Sequence, residues 1–182
     1  MNKKEIIERL ELFNGKVEEL GNSSFISNWD SKSIFWNTIT SNLPTKFLLP
    51  NDEQTKAFIL TLRFFMQDNE PISLRNISKI YSSELIEKEF QEEFDQKRKI
   101  LNTYLNLDFR SNGITNRDIL EAFIYGNYAH SDQKDKYSEL VKTDIKHRLN
   151  AGSFYSIANS FFTTLQQFQK LNKKVLRNLR AT

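Results

Sequence analysis

The sequence predicts an all-α protein, with five to seven helices in a bundle. Three observations carry that expectation. Apolar residues recur at helical period in four long stretches, and no stretch alternates with the period of two that a half-buried strand requires. Glycine and proline are sparse, at five and three residues in 182, which disfavours a turn-rich β fold and long flexible linkers. Fifteen Phe, six Tyr and two Trp supply bulky core material. A chain of this length buries roughly 70% of the surface its unfolded form exposes.

The first helix is expected over residues 3–20. Ile6, Leu10, Phe13, Val17 and Leu20 are spaced so that they share one face. Gly21-Asn22-Ser23-Ser24 ends it. Residues 25–50 are less regular, and Phe25, Ile26, Trp29, Ile34, Phe35 and Trp36 point to a short helix over 31–40 between packed loops. Pro44 and Pro50 bracket a connector. A second long helix starts near Asn51 or Asp52, with acids in the first turn, where the helix dipole favours them. Its stripe is Phe58, Ile59, Leu62, Phe65 and Met66, and Asp68-Asn69-Glu70-Pro71 stops it.

Ser73 is the expected N-cap of a helix over 74–107, with an irregularity near Ser82-Ser83. Ile77, Ile80, Tyr81, Leu85, Ile86, Phe90, Phe94, Leu101, Tyr104 and Leu105 form its stripe. Asn112-Gly113 reads as a turn. Thr115 or Asn116 caps a helix that holds Ile119, Leu120, Phe123 and Ile124. A further helical segment is expected from Ser131-Asp132 to Leu149, with Gly152 as its breaker. The last helix, over 153–179, is the most periodic. The expected organisation is a single domain over 1–182, with an N-terminal helix and aromatic connector over 1–50 and the core bundle over 51–182.

Composition narrows the chemistry. With no cysteine there is no disulfide, thiolate zinc site, iron–sulfur cluster or thiol nucleophile. Two histidines, His130 and His147, make a histidine-rich metal site improbable. No EF-hand or glycine-rich phosphate loop is present. No metal or cofactor is expected. The first residues run straight into a charged helical pattern rather than a secretory signal, and no apolar run approaches a membrane span. The expectation is a cytoplasmic protein without membrane contact.

The net charge of +3 is uneven. From Val141 onward eight Lys or Arg face one acid, a net +7, so residues 1–140 carry −4. Lys170, Lys173, Lys174, Arg177 and Arg180 close the chain as a basic cluster. It reads either as a phosphate-neutralising end or as a solvated helix face with cations at its favourable C-terminus. Before it, Phe154, Ala158, Phe161, Leu165, Phe168, Asn172, Val175 and Leu179 alternate four and three. That stripe suits a two-helix seam of a homodimer with Asn172 as a polar register pin. It equally suits packing inside the monomer, with Asn172 where the helix emerges into water.

The remaining motif is Tyr125-Gly126-Asn127-Tyr128-Ala129-His130. Histidine titrates near neutrality and can act as a general base. His147, amid the charges of Asp144-Ile145-Lys146-His147-Arg148, reads as exposed and inert. The Ala129-His130 end and the spacing from residue 125 resemble the Arg-x4-His signature of the HEPN helical-bundle family, with Tyr125 in the arginine place. Members of that family form homodimers in which the arginine and histidine meet across the interface, and the active ones cleave RNA without metal. The resemblance implies a HEPN-like bundle, a possible homodimer, and a setting in bacterial defence, toxin–antitoxin pairs or mobile elements. His130 would be the catalytic residue, and Tyr125, Asn127 and Tyr128 would line the site.

Tyr125 carries no charge. Losing a preorganised cation costs about 10² to 10³ in rate, so cleavage would need another donor, such as Arg117, Lys134 or Lys136. A spacing of five also places Tyr125 and His130 about 140° apart around a helix. His130 then serves equally well as a cap or as a partner of a buried acid. The leading expectation is a HEPN-like protein that binds RNA or a protein partner without nuclease activity. A protein–protein interaction module, such as a phage or accessory inhibitor, is the alternative. A metal-independent ribonuclease is the third reading.

Overall fold

The computed structural model describes residues 1–22, 53–107, 113, 115–128 and 151–182. Six helices fill these residues: α1 (Lys3–Gly21), α2 (Glu53–Met66), α3 (Leu74–Tyr81), α4 (Lys88–Leu105), α5 (Asn116–Tyr128) and α6 (Ala151–Ala181). No strand occurs among the described residues, so the fold is all-α. No helix among them is long and apolar enough to cross a membrane. The helices expected over 31–40 and from Ser131 to Leu149 lie outside the described residues.

Three of the helices begin where neighbouring side chains satisfy free N–H groups of the first turn. Asn2 and Glu5 form a reciprocal box on α1: the Glu5 amide donates to Asn2 Oδ1 at 2.9 Å, and the Asn2 amide donates to Glu5 Oε2 at 2.8 Å. Ser73 caps α3 by accepting from the Asn76 amide at 3.3 Å. Thr115 rather than Asn116 caps α5, for the Asp118 amide donates to its Oγ1 at 3.2 Å, and Asp118 Oδ2 accepts back from the Thr115 amide at 2.9 Å. Asn116 instead turns inward and donates to the Tyr104 carbonyl at 3.0 Å, tying α5 to the end of α4. Gly113, of the expected turn, has φ +79, a conformation that side chains resist.

Residues 74–107 form two helices, not one. Ser82 Oγ donates to the Ser78 carbonyl at 3.0 Å, a local bond that competes with the helix ladder. Gln91 then folds back, and its Nε2 donates to the carbonyls of Ser83 and Ile86, each at 3.0 Å. These bonds satisfy the backbone groups that the break exposes. Ile86 is buried as expected, but Leu85 is 45% exposed, because the break rotates it off the stripe.

α6 is the spine of the bundle. It packs against α1, α4 and α5, while α2 packs on α5 and α1, and α3 bridges α1 and α4. Ala158, Phe161, Leu165, Phe168, Asn172, Val175 and Leu179 are all buried. Ile157, Phe162, Leu171 and Leu176 are buried beside them, so the covered face is wider than a two-helix seam. The stripe is therefore consumed inside the monomer. Gly152 lies inside the first turn of α6 instead of ahead of it. At the other end of α1, a Cβ on Gly21 would meet Phe162 Cζ at 3.0 Å, so the glycine permits the close approach of α1 to α6.

Asn172 corrects both placements that its heptad position suggested. It is fully buried within one chain, neither at a dimer seam nor emerging into water. Its Oδ1 accepts from the Tyr81 hydroxyl at 2.6 Å, and its Nδ2 donates to Asn14 Oδ1 at 3.1 Å. Gln169 Nε2 adds a bond to the Asn14 carbonyl at 3.3 Å. The Tyr81 ring stacks on Phe94 with centroids 4.2 Å apart, and Phe94 leans on Phe168 at 5.3 Å. Burial, and then the Glu93 carboxylate, push the Tyr81 hydroxyl far above its usual range, so it stays a donor. Nearby, Tyr104 Oη donates to the Ile157 carbonyl at 2.9 Å, a second tie between α4 and α6.

Two stability outcomes follow from this packing. Asn172→Leu strands the Tyr81 hydroxyl and the Asn14 amide in the core, at about 1–3 kcal/mol for each orphaned group. Chemical denaturation should show that loss, with the oligomeric state of the protein unchanged. Adding Tyr81→Phe should restore part of it, because one orphan disappears with its partner. A variant as stable as wild type would show that the three side chains are not coupled. The second outcome concerns Gly15, inside α1, where a Cβ meets nothing within 4 Å. Gly15→Ala should stabilise by about 0.5–1 kcal/mol, whereas Gly21→Ala should gain less or lose stability against Phe162; paired melting curves compare them directly.

Candidate functional site: a cationic cleft between four helices

The break after α3 opens a cleft of about 460 Å³ between the end of α2, the outer face of α3, the middle of α4 and the first turn of α5. The helical periods explain its lining. In α3, Ile77, Ile80 and Tyr81 point into the core, which leaves Arg75, Ser78 and Lys79 to face the cleft. In α4, Phe94, Arg98, Leu101 and Asn102 stand one turn apart on a single face. Phe65, Phe94 and Leu101 form an apolar floor and are almost fully covered.

Four cations, Arg75, Lys79, Arg98 and Arg117, line this cleft against one acid, Asp68. Arg75 Nη1 lies 3.4 Å from Asp68 Oδ2. Arg98 Nη2 lies 3.2 Å from Asp95 Oδ1, and its Nη1 donates to Ser78 Oγ at 3.4 Å. Arg117 Nη1 lies 3.7 Å from Glu121 Oε1. Lys79 makes no ion pair among the described residues. Asp95 and Glu121 offset part of the positive charge, but the Arg98–Asp95 pair is solvent-exposed and the Arg117–Glu121 pair is long at 3.7 Å, and such pairs hold weakly. The arginine forks are therefore available to an incoming anion, and they suit the oxygens of a phosphate.

The basic cluster of the last helix is arranged differently. Lys174 Nζ lies 3.3 Å from Glu93 Oε1, Lys173 Nζ lies 3.9 Å from Glu18 Oε1, and Arg180 pairs with Glu11. Arg177 Nε donates to the Lys173 carbonyl at 3.4 Å, and Lys170 is exposed. A shallow, open depression is lined by Lys173, Leu176, Arg177 and Arg180. Three of the five cations thus bind α6 to acids of α1 and α4. Part of the uneven charge of the sequence is matched within the fold.

Tyr125, Asn127 and Tyr128 belong to the last turns of α5, where only the backbone is described. His130 and His147, like Lys134 and Lys136, lie outside the described residues. Arg117 is eight residues ahead of Tyr125 on the same helix, about 12 Å along its axis and about 80° around it. It belongs to the cleft rather than standing beside Tyr125. The sequence alone does not single out Arg75, Lys79 and Arg98. Their signal is the i, i+4 pair Arg75 and Lys79, set opposite Ile77 and Ile80, which the reading of 74–107 as one helix obscured.

Compared with protein-family models, with curated proteins and with solved structures, the chain finds no match.

Proposed function

We propose that this chain is a HEPN-like helical-bundle protein that binds RNA without cleaving it. The observation that carries the RNA part is the cleft, where four cations stand over an apolar floor. Nucleic acid presents both features that such a surface complements, a row of phosphates and flat apolar bases. The HEPN part rests on the all-α bundle and on the Ala129-His130 end of the motif. The absence of cleavage rests on Tyr125, which supplies no positive charge beside the histidine. The defence, toxin–antitoxin or mobile-element setting follows from the same resemblance. Two-fold association, which the resemblance also implies, would have to use a surface other than the α6 stripe.

Binding of a short single-stranded RNA, followed by fluorescence anisotropy with chelator present, tests the reading. If three or four phosphates are neutralised, affinity should fall with a log–log salt slope of about −2 to −3. That is a loss of about 15- to 60-fold between 50 and 200 mM salt. The RNA should remain intact. Cleavage that His130→Ala abolishes would establish the ribonuclease reading instead. Absence of RNA binding at low salt would leave the protein-interaction module as the better account. Tyr125→Arg is the gain-of-function arm, and new cleavage that depends on His130 would tie the motif to the family chemistry.

A further inference from the structure

We infer that the cleft between α2, α3, α4 and α5 is a site for a single nucleoside phosphate, either a free nucleotide or the phosphorylated end of an RNA. This deepens the RNA reading above and rests on it only for the second source. The size of the cleft comes first. A volume of about 460 Å³ accommodates one nucleotide unit, within the range of small-molecule pockets. A cleft of this size, walled on several sides by helices, suits a terminal unit better than a continuous strand.

The distribution of chemistry comes second. The partly buried Leu74 and the edge of Met66 give an apolar surface for the face of a base, backed by the covered side chains of Phe65 and Leu101. A bare phosphate or a sugar phosphate has no use for such a surface. Arg75, Lys79 and Arg98 stand on two adjacent helices and provide two guanidinium forks and an ammonium for a phosphate. Lys79 is exposed and makes no ion pair among the described residues, so it is the cation least committed to the fold. Ser78 and the exposed Asn102 add a hydroxyl and an amide, which hydrogen-bond base or sugar edges. Asp68 is the one acid of the lining, and its carboxylate can accept from a ribose hydroxyl.

Calorimetric titration of the full chain tests the inference with four probes: AMP, adenosine, ribose 5-phosphate and inorganic phosphate. AMP should bind at least about tenfold tighter than each of the others, because only AMP engages floor and cations together. Lys79→Ala and Arg98→Gln should each weaken AMP by about 10- to 100-fold, the range for a lost charged hydrogen bond. Arg177→Ala, outside the cleft, should leave it unchanged. Both cleft residues are exposed, and circular dichroism melts verify that the variants fold. AMP binding no tighter than inorganic phosphate, or unaffected by the two variants, would overturn the site.

The RNA arm separates this inference from the broader one. A 5′-phosphorylated eight-residue RNA should bind about tenfold tighter than its 5′-hydroxyl twin, and AMP should displace it. If AMP binds through Lys79 and Arg98 while neither RNA binds, the nucleotide site stands and the RNA reading falls. If both RNAs bind equally and AMP does not compete, the RNA reading stands and the nucleotide site falls.

Discussion

Four of the six described helices take their register from the buried amide of Asn172. It is fully covered in the middle of α6, and its two polar atoms are satisfied from two other helices, by Tyr81 of α3 and Asn14 of α1. A buried polar group without partners costs far more than a net hydrogen bond contributes, so an axial slide or rotation of α6 is penalised even where the apolar surfaces would tolerate it. Apolar contacts alone are forgiving of register. Here the amide fixes the height of α1 and α3 along the spine, and the Tyr81–Phe94–Phe168 stack transmits the same register to α4.

The cleft is a consequence of that registration. Tyr81 is the last residue of α3, and the chain breaks immediately after its hydroxyl is anchored. Had 74–107 continued as one helix, Arg75 and Lys79 would lie on the same straight axis as Arg98, several turns away. The turn over 82–87 instead folds α4 back beside α3, so that Ser78 and Arg98 meet at 3.4 Å although twenty residues separate them. Gln91 holds the turn closed from within α4. The cationic lining is thus produced by a core contact and a local serine-rich break acting together.

Much of the fold was legible in the sequence, and what escaped has physical causes. The stripes of α1 and α2 could be read residue by residue, because an apolar face at helical period has one obvious use. The cap at Ser73 and the stop at Asp68–Pro71 are local chemistry, which short windows reveal. The break between α3 and α4 was visible only as a pair of serines, for its decisive bonds come from Gln91, eight residues beyond Ser83. Asn172 was conspicuous as an interruption of the heptads, but its partners lie 91 and 158 residues away, and periodicity carries no such information. The same limit applies to the cleft. Arg75, Lys79, Arg98 and Arg117 come from three helices, and only the tertiary fold makes them neighbours.

The two basic surfaces show why net charge alone could not locate a binding site. At the end of α6 the cations are matched across helices: Lys173 with Glu18, Lys174 with Glu93 and Arg180 with Glu11. An anion arriving there competes with contacts that also hold α6 to α1 and α4. In the cleft the pairs of Arg98 and Arg117 are with acids on their own helices, three and four residues away. Such pairs contribute only about 0.3–0.5 kcal/mol, whereas a charged hydrogen bond to a bound phosphate contributes about 1.5–3 kcal/mol. Exchange of partners is therefore downhill in the cleft, and among the described residues the interhelical bond it puts at stake is that of Arg98 Nη1 to Ser78 Oγ. Lys79 has no ion pair to exchange among the described residues. Among the described residues, the cations most available to an anion therefore stand in the cleft, not in the basic cluster that the sequence displays near the end of α6.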